Sequence, residues 1–347
     1  MANFYLPDDA NQQIYLDANA TTPVLPEIAD VVSHTMQVCF GNPSSSHITG
    51  IQAKHLLEQT RNKAREVIGA TDGDILFTSG ATEGIQTAVV STLIAAKNHQ
   101  VENPVLLYGA TEHKAVPNTL KHWNSVLDIN AQVLAIPVDK NGILDHEFIR
   151  KHAANALMIC TMAVNNETGV FQDLTAIEQV IRSENNNVAW MVDCVQALGK
   201  TNLALSQTTI DYAPFSGHKL YAPKGIGVLY IRKGSAYTPF IAGGGQESGM
   251  RSGTENLPGI AGLNKLFSLL LDKQNQTFKP IEQLHAFREQ LLAALTDTFG
   301  SITFNHSFEH SVPTTLNFAV NELTSKEVMD LFDAAGIRVS GGSACSS

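Results

Sequence analysis

Residues able to do chemistry recur where apolar runs end. Lys219 closes Ser216-Gly217-His218-Lys219, directly after the apolar run Tyr212-Ala213-Pro214-Phe215 and ahead of Lys224-Gly225-Ile226-Gly227. A surface lysine needs no such wrapping. A lysine that must shed a proton and attack a carbonyl does, because desolvation disfavours the ammonium and leaves free amine. Other runs end in the same way. Glu112-His113 follow the run that starts at Val105, and Asn165-Asn166-Glu167 follow the run from Ala156. Asp193, with Gln196 close after, ends the run from Val188. Far along the chain, Gly342-Ser343-Ala344-Cys345 sets a thiol among small residues, which suits a nucleophile better than a packed structural sulfur. Each has a plainer reading by itself: a solvated lysine, a capping or core histidine, a helix-capping aspartate, a tail cysteine without a role.

The elements between these residues must gather them. A short strand over 14–17 runs into the polar turn Ala18-Asn19-Ala20-Thr21-Thr22-Pro23, and a helix begins near Pro26. Residues 41–47 have loop composition, and helical apolar spacing predicts an amphipathic helix over 51–68. Asp74-Ile75-Leu76-Phe77-Thr78 followed by Ser79-Gly80-Ala81-Thr82 reads as strand, glycine turn and helix start. The free amides and dipole of that helix start form an anion pocket near Gly80 to Thr82, although an ordinary connecting turn has the same pattern. It lacks the lysine-Ser/Thr ending of a Walker loop and is not a GxGxxG fingerprint.

Apolar runs over 105–108, 133–138, 156–162 and 188–193 alternate with helical stretches near 114–123, 145–154 and 174–183. With 212–216 and 227–232 they make about seven strands. The fold class is α/β, with a largely parallel sheet and helices on both faces. Ligands of such sheets sit at the carboxyl ends of the strands, so the polar run-endings fall on one edge and form a candidate site.

Beyond Gly234 the texture changes. Residues 241–254 are glycine-rich yet carry Gln246, Glu247, Met250 and Arg251, which a mere linker seldom does, so they read as a functional loop. Helices over 256–272 and 280–298, strands over 301–304 and 315–320, and a helix over 325–335 make a smaller α+β part. The chain thus divides into a large part, residues 15–255, and a small part, residues 1–14 with 256–347. His306 and His310 sit four apart on a polar loop without an acidic partner motif, so no metal is assigned.

Composition narrows the class. The chain has 347 residues, is 44% hydrophobic and 16% charged, and suits a packed globule. A net charge of −10 offers no basic stripe for nucleic acid. No run reaches the ~18 apolar residues of a membrane span, and the N-terminus lacks the basic start and apolar core of a secretory signal. Cys39, Cys160, Cys194 and Cys345 have no metal-type spacing, which points to a reduced, cytoplasmic setting.

Taken together, Thr78-Ser79-Gly80-Ala81-Thr82-Glu83, Thr111-Glu112-His113-Lys114-Ala115-Val116, Val164-Asn165-Asn166-Glu167, Ser216-Gly217-His218-Lys219, residues 243–254 and Ser343-Ala344-Cys345 resemble the cysteine desulfurases. These are class V aminotransferase relatives that use pyridoxal phosphate on the fold type I scaffold, and the similarity runs from Tyr15 to Ser347. It implies that Lys219 is the Schiff-base lysine and that Ala81, Thr82, Ser216 and His218 hold the phosphate. It implies that Asp193 pairs with the pyridine nitrogen, that His113 stacks on the ring and shuttles protons, and that Gln196 and Asn166 contact the phenolic oxygen or the substrate. Thr254 matches a threonine that reaches the phosphate from a partner subunit, which implies a homodimer. Cys345 matches the nucleophile that takes sulfur from L-cysteine, leaving L-alanine and a persulfide for a sulfur-acceptor protein.

Two departures stand out: Met191 where relatives often carry histidine, and Cys194 where a small residue is usual. Family members also continue for several tens of residues past the cysteine, through an arginine that grips the substrate carboxylate. No residue here matches that arginine, so the small part is expected to be incomplete at Ser347. A related pyridoxal phosphate lyase or aminotransferase with another substrate, and a cofactor-binding partner protein of weak activity, stay open as alternatives.

Overall fold

Strand pairing explains why the polar run-endings share an edge. The computed structural model describes residues 13–97 and 101–342. In chain order the elements begin with β1 (Ile14–Tyr15), α1 (Pro26–Val38), α2 (Ile48–Ile68), β2 (Asp74–Thr78), α3 (Ala81–Ala96), β3 (Val105–Gly109) and α4 (Ala115–Val126). Then come β4 (Gln132–Ile136), α5 (His146–Ala153), β5 (Ala156–Met162), α6 (Leu174–Glu184), β6 (Ala189–Asp193), β7 (Tyr212–Ser216) and β8 (Gly227–Ile231). The last are α7 (Leu257–Leu271), α8 (Ile281–Phe299), β9 (Ile302–Phe304), β10 (Phe318–Val320), α9 (Ser325–Ala334) and β11 (Ile337–Arg338).

Seven strands form one sheet in the order β2-β8-β7-β6-β5-β3-β4. Pairing from β7 across to β4 is parallel, while β8 runs antiparallel to both neighbours. The α/β expectation holds, and the seven strands are the seven apolar runs. Alternation along each strand feeds two cores. Ile75, Phe77, Trp190, Val192, Val228 and Tyr230 pack into one core with Ile28, Leu57, Ile177 and Ile260. Leu76, Met191, Leu229 and Ile231 pack into the other with Ile85, Val89, Leu93 and Leu120. Both faces of the sheet are covered, so the strands read as continuous apolar runs rather than alternating ones.

Several boundaries differ from expectation for local reasons. β4 stops at Ile136 because Pro137 has no amide for the ladder. α2 starts at Ile48, three residues early, where His47 Nδ1 accepts from the Gly50 amide at 3.4 Å. The first strand shrinks to two exposed residues because the chain turns at Asp17, whose carbonyl accepts from the Ala20 amide. β1 pairs in parallel with β11. β9 and β10 form a separate antiparallel pair, and α7 packs along α1 and α2.

Candidate active site

The parallel strands β3, β5, β6 and β7 point their carboxyl ends the same way. Their successors Glu112-His113, Asn165-Asn166, Asp193-Gln196 and Ser216-Lys219 therefore lie along one edge. β2 joins them from the far side. Thr78 pairs with Gly227, and Gly227 pairs with Ser216, so the α3 start beyond Thr78 arrives beside Ser216. This approach requires glycine at 227. A Cβ there would lie 2.5 Å from the Phe215 carbonyl oxygen and 2.8 Å from Gly80 Cα.

Ala81 and Thr82 occupy the first turn of α3, and Gly80 provides no side-chain cap for its amides. Unclaimed amides at a helix N-terminus suit a phosphate. Glu83 holds the turn in shape: its Oε2 accepts from the Ser79 amide at 2.8 Å, and Arg251 Nε donates to its Oε1 at 2.9 Å. The same arginine ties the 243–254 loop to α3. Glu247 ties that loop a second time, accepting from Arg61 at 3.0 Å. An open groove of about 480 Å³ runs beside this turn, lined in part by Thr82, Gln86, Trp123 and Phe240.

Lys219 donates to the carbonyl oxygens of Asn19 at 2.7 Å and Ala20 at 2.9 Å. Those carbonyls belong to the polar turn after β1, which Thr22 fastens to the lysine segment. Its amide and hydroxyl both donate to the His218 carbonyl at 2.9 Å, and its hydroxyl accepts from the Tyr221 amide at 2.6 Å. Tyr221 is held at φ 62°, a left-handed backbone that an aromatic residue adopts only when its surroundings enforce it.

Asn19 is the hub of the site. Its Nδ2 donates to the Asn166 carbonyl at 3.2 Å and to Thr315 Oγ1 at 2.9 Å. Its own carbonyl accepts from Gln196 Nε2 at 3.1 Å as well as from Lys219. Its Oδ1 accepts from Lys200 at 3.4 Å, and Lys200 also donates to Gln196 Oε1 at 2.5 Å. One turn thus links Asn166, Gln196 and Lys219. Residue type at the run-endings assigns no site role to Asn19, Ala20 or Lys200. The polar turn was the available signal for the first two, and the i, i+4 spacing of Gln196 and Lys200 for the third.

The site's electrostatics follow from burial and from Lys219. Asp193 is buried, and burial raises its carboxyl to about 6 against the pull of the Val195 amide and the Lys219 charge. Val195 donates that hydrogen bond at 2.9 Å. The Glu112 carboxyl is pushed well above the carboxylate range by burial first and by Asp193 second, and its Oε2 is buried without a hydrogen bond among the described residues. Burial and Lys219 lower His113, and they bring His218 to about 4. Both imidazoles are therefore neutral near pH 7. His113 Nδ1 accepts from the Ala115 amide at 3.2 Å, so its proton sits on Nε2. His218 Nδ1 lies 3.1 Å from Thr21 Oγ1. Thr254 takes no part in this network and is exposed on the glycine-rich loop. Cys345 lies outside the described residues.

This scaffold and edge are those of a pyridoxal phosphate enzyme, and comparison gives the family. The Aminotransferase class-V model matches residues 14–347, and the chain belongs to that family. Its more specific likeness is to desulfurases. Cysteine desulfurase IscS of Escherichia coli is 36% identical over 341 residues, covering 96% of this chain and 81% of that relative. A solved NifS-like protein superposes with a TM-score of 0.86 at 32% identity, covering 94% of this chain and 87% of that one. The structure titled SspA in complex with cysteine gives a TM-score of 0.80 at 29% identity, with 96% and 90% covered.

The family's cofactor is pyridoxal phosphate, and the residues present fit it. Amides and hydroxyls at the α3 start and Ser216 suit the phosphate, a buried carboxyl at Asp193 suits a cationic ring nitrogen, and Lys219 supplies the amine. Among the described residues no helix is long and apolar enough to cross a membrane.

Proposed function

We propose that this chain is a cysteine desulfurase that removes sulfur from L-cysteine, with Lys219 as the cofactor lysine and Cys345 as the sulfur acceptor. The observation that carries this reading is the convergence of Lys219, Asn166 and Gln196 on Asn19, with the Asp193 carboxyl and neutral His113 in the field of Lys219. Bound at this edge, the cofactor supplies an electron sink for the substrate's α-carbon. The chain's own groups do the rest. Asp193 would keep the ring nitrogen cationic. Ala81, Thr82, Ser216 and His218 would hold the phosphate. His113, with its proton on Nε2, would lie against the ring and shuttle protons. Gln196 and Asn166 would position the phenolic oxygen and the substrate, and the Lys219 amine would move the α-proton. The Cys345 thiolate attacks the substrate sulfur: a sulfur–sulfur bond forms, the carbon–sulfur bond breaks, and the carbon keeps the electron pair and takes up a proton, giving alanine.

Several broader assignments belong to the same proposal. The enzyme works as a homodimer, with Thr254 facing the partner's phosphate site. Exposed Met36, Val38, Phe40, Ile48 and Ile51 support a covered surface, Phe40 being 70% and Ile48 68% exposed. Its setting is the cytoplasm, and a sulfur-acceptor protein, a scaffold or a transfer protein, takes the persulfide sulfur. The division into residues 15–255 and residues 1–14 with 256–347 is supported by the β1–β11 and β9–β10 pairings. The packing of α7 on α1 and α2 argues for moving the boundary to near 272.

The test uses purified protein loaded with pyridoxal phosphate and given cysteine. Lys219→Ala loses the visible absorbance of the lysine–cofactor linkage, whereas Cys345→Ser keeps it and loses alanine and sulfide formation. Normal sulfide release by Cys345→Ser overturns the nucleophile, and cofactor binding without alanine from the unaltered chain overturns the desulfurase reading.

A further inference from the structure

Gln196 is buried with both ends of its carboxamide engaged: Oε1 faces Lys200 Nζ at 2.5 Å and Nε2 faces the Asn19 carbonyl at 3.1 Å. An ammonium is donor only, so the group facing Lys200 has to be the amide oxygen. That choice fixes Nε2 on the opposite side. One of its two protons goes to the Asn19 carbonyl, the same oxygen that Lys219 donates to. The flipped amide would present a lone pair to that oxygen instead.

Lys200 is also the second lysine at Asn19. Its ammonium is turned inward onto Asn19 Oδ1 and Gln196 Oε1, while Lys219 holds the carbonyl of the same residue. A lysine whose ammonium is turned inward ordinarily meets a carboxylate, because a charge drawn out of water needs an opposite charge nearby. Here the two acceptors are neutral amides, and the charged group acting on Lys200 is Lys219, of like sign. Around Lys219 stand His113 from the turn after β3, Asp193 from the end of β6, His218 beside it, and Lys200. The two imidazoles are neutral near pH 7, and Asp193 and Lys200 are among the charges that Lys219 meets.

We propose that Lys200 is a positioning residue of this site, which holds the Gln196 amide with its N–H on the Asn19 carbonyl beside Lys219 and, as a second cation at Asn19, favours the Lys219 amine that bonds a carbonyl cofactor. This inference rests on the reading of Lys219 as the cofactor lysine. Lys200 touches neither substrate nor cofactor in this role. It acts through Gln196, Asn19 and the field at Lys219.

The experiment follows linkage formation between the cofactor-free protein and added pyridoxal phosphate by visible absorbance, across pH, without cysteine. Removing a like charge raises the proton affinity of Lys219, so Lys200→Met moves the midpoint upward by about one pH unit and slows linkage formation at pH 7 about tenfold. Lys200→Arg keeps charge and donors and retains the midpoint of the unaltered protein. It departs from the unaltered protein only above pH about 8, where burial and Lys219 discharge Lys200 but a guanidinium stays charged. If Lys200→Met does not fold, Lys200→Gln serves, which loses the charge and keeps a donor, and it gives the same upward shift. Midpoints unchanged in both uncharged variants overturn the inference. Lys219→Ala separates the two readings: linkage absorbance surviving there overturns the cofactor lysine, whereas its loss with a midpoint indifferent to Lys200 overturns only the role of Lys200.

Discussion

Asp193→Asn should make the cofactor-free protein more stable while weakening its hold on the cofactor. In the folded chain the carboxyl is displaced from its ordinary 3.8 to about 6, chiefly by burial. At about 1.36 kcal/mol per pH unit, that displacement is worth about 3 kcal/mol. The sign follows from proton counting. Below pH 3.8 both folded and unfolded chains carry the proton, and Asp193 costs nothing by titration. Between 3.8 and 6 the unfolded chain gives up its proton first, so stability falls as pH rises. Above 6 the full cost is present. Asparagine is nearly isosteric, its Oδ1 can still accept from the Val195 amide, and it does not titrate. Urea unfolding of cofactor-free protein should therefore show the variant close to the unaltered chain at pH 4.5 and more stable by up to about 3 kcal/mol at pH 8. With pyridoxal phosphate present the advantage reverses. Losing a hydrogen bond between a carboxylate and a cationic ring nitrogen costs about 1.5–3 kcal/mol, or roughly tenfold to a hundredfold in Kd. A variant less stable than the unaltered protein at pH 8, or a difference that ignores pH, would refute the claim that Asp193 is a strained carboxylate kept for a cation.

Three further outcomes test neighbouring parts of the argument. Glu112→Gln should stabilise the protein more at pH 8 than at pH 5, because the folded Glu112 keeps a proton that the unfolded chain releases as pH rises. Thermal melts at the two pH values check this, and an equal gain at both counts against a neutral Glu112. Arg251→Met leaves the buried Glu83 carboxylate with the Ser79 amide alone and should cost about 2–3 kcal/mol in denaturant unfolding. Hydrogen exchange should rise across 243–254 at the same time, and unchanged exchange there would mean that the arginine does not anchor the loop. Gly227→Ala places a Cβ 2.5 Å from the Phe215 carbonyl oxygen and should cost about 1–3 kcal/mol or more as β8 is forced off β7. A denaturant midpoint equal to that of the unaltered chain would show that the two segments have room to part.

The sheet was legible because it is buried on both faces. A strand covered by helices on each side must be apolar throughout, and seven such runs separated by helical spacing leave few arrangements. The direction of β8 was not legible, since an antiparallel strand covered on both faces has the same composition as a parallel one. Short exposed strands such as β1 and β11 carry no pattern at all: two residues cannot alternate, and their pairing depends on a partner more than 300 residues away. The candidate site divides along the same line. Lys219, Asp193, His113 and Gln196 announce themselves by residue type at the ends of apolar runs. What holds Lys219 is a pair of backbone carbonyls, at Asn19 and Ala20, and a carbonyl is the same in every residue. Asn19 becomes visible only when the chain has folded and five hydrogen bonds meet on it from β5, β6, β7 and the small part. Lys200 is hidden for a different reason. A lysine four residues past a glutamine usually lies on a solvated helical face, and here the turn after β6 rolls that face inward against Asn19. The residues that react can be read from their chemistry, whereas those that set their protonation and aim act through position, and position is a property of the folded chain.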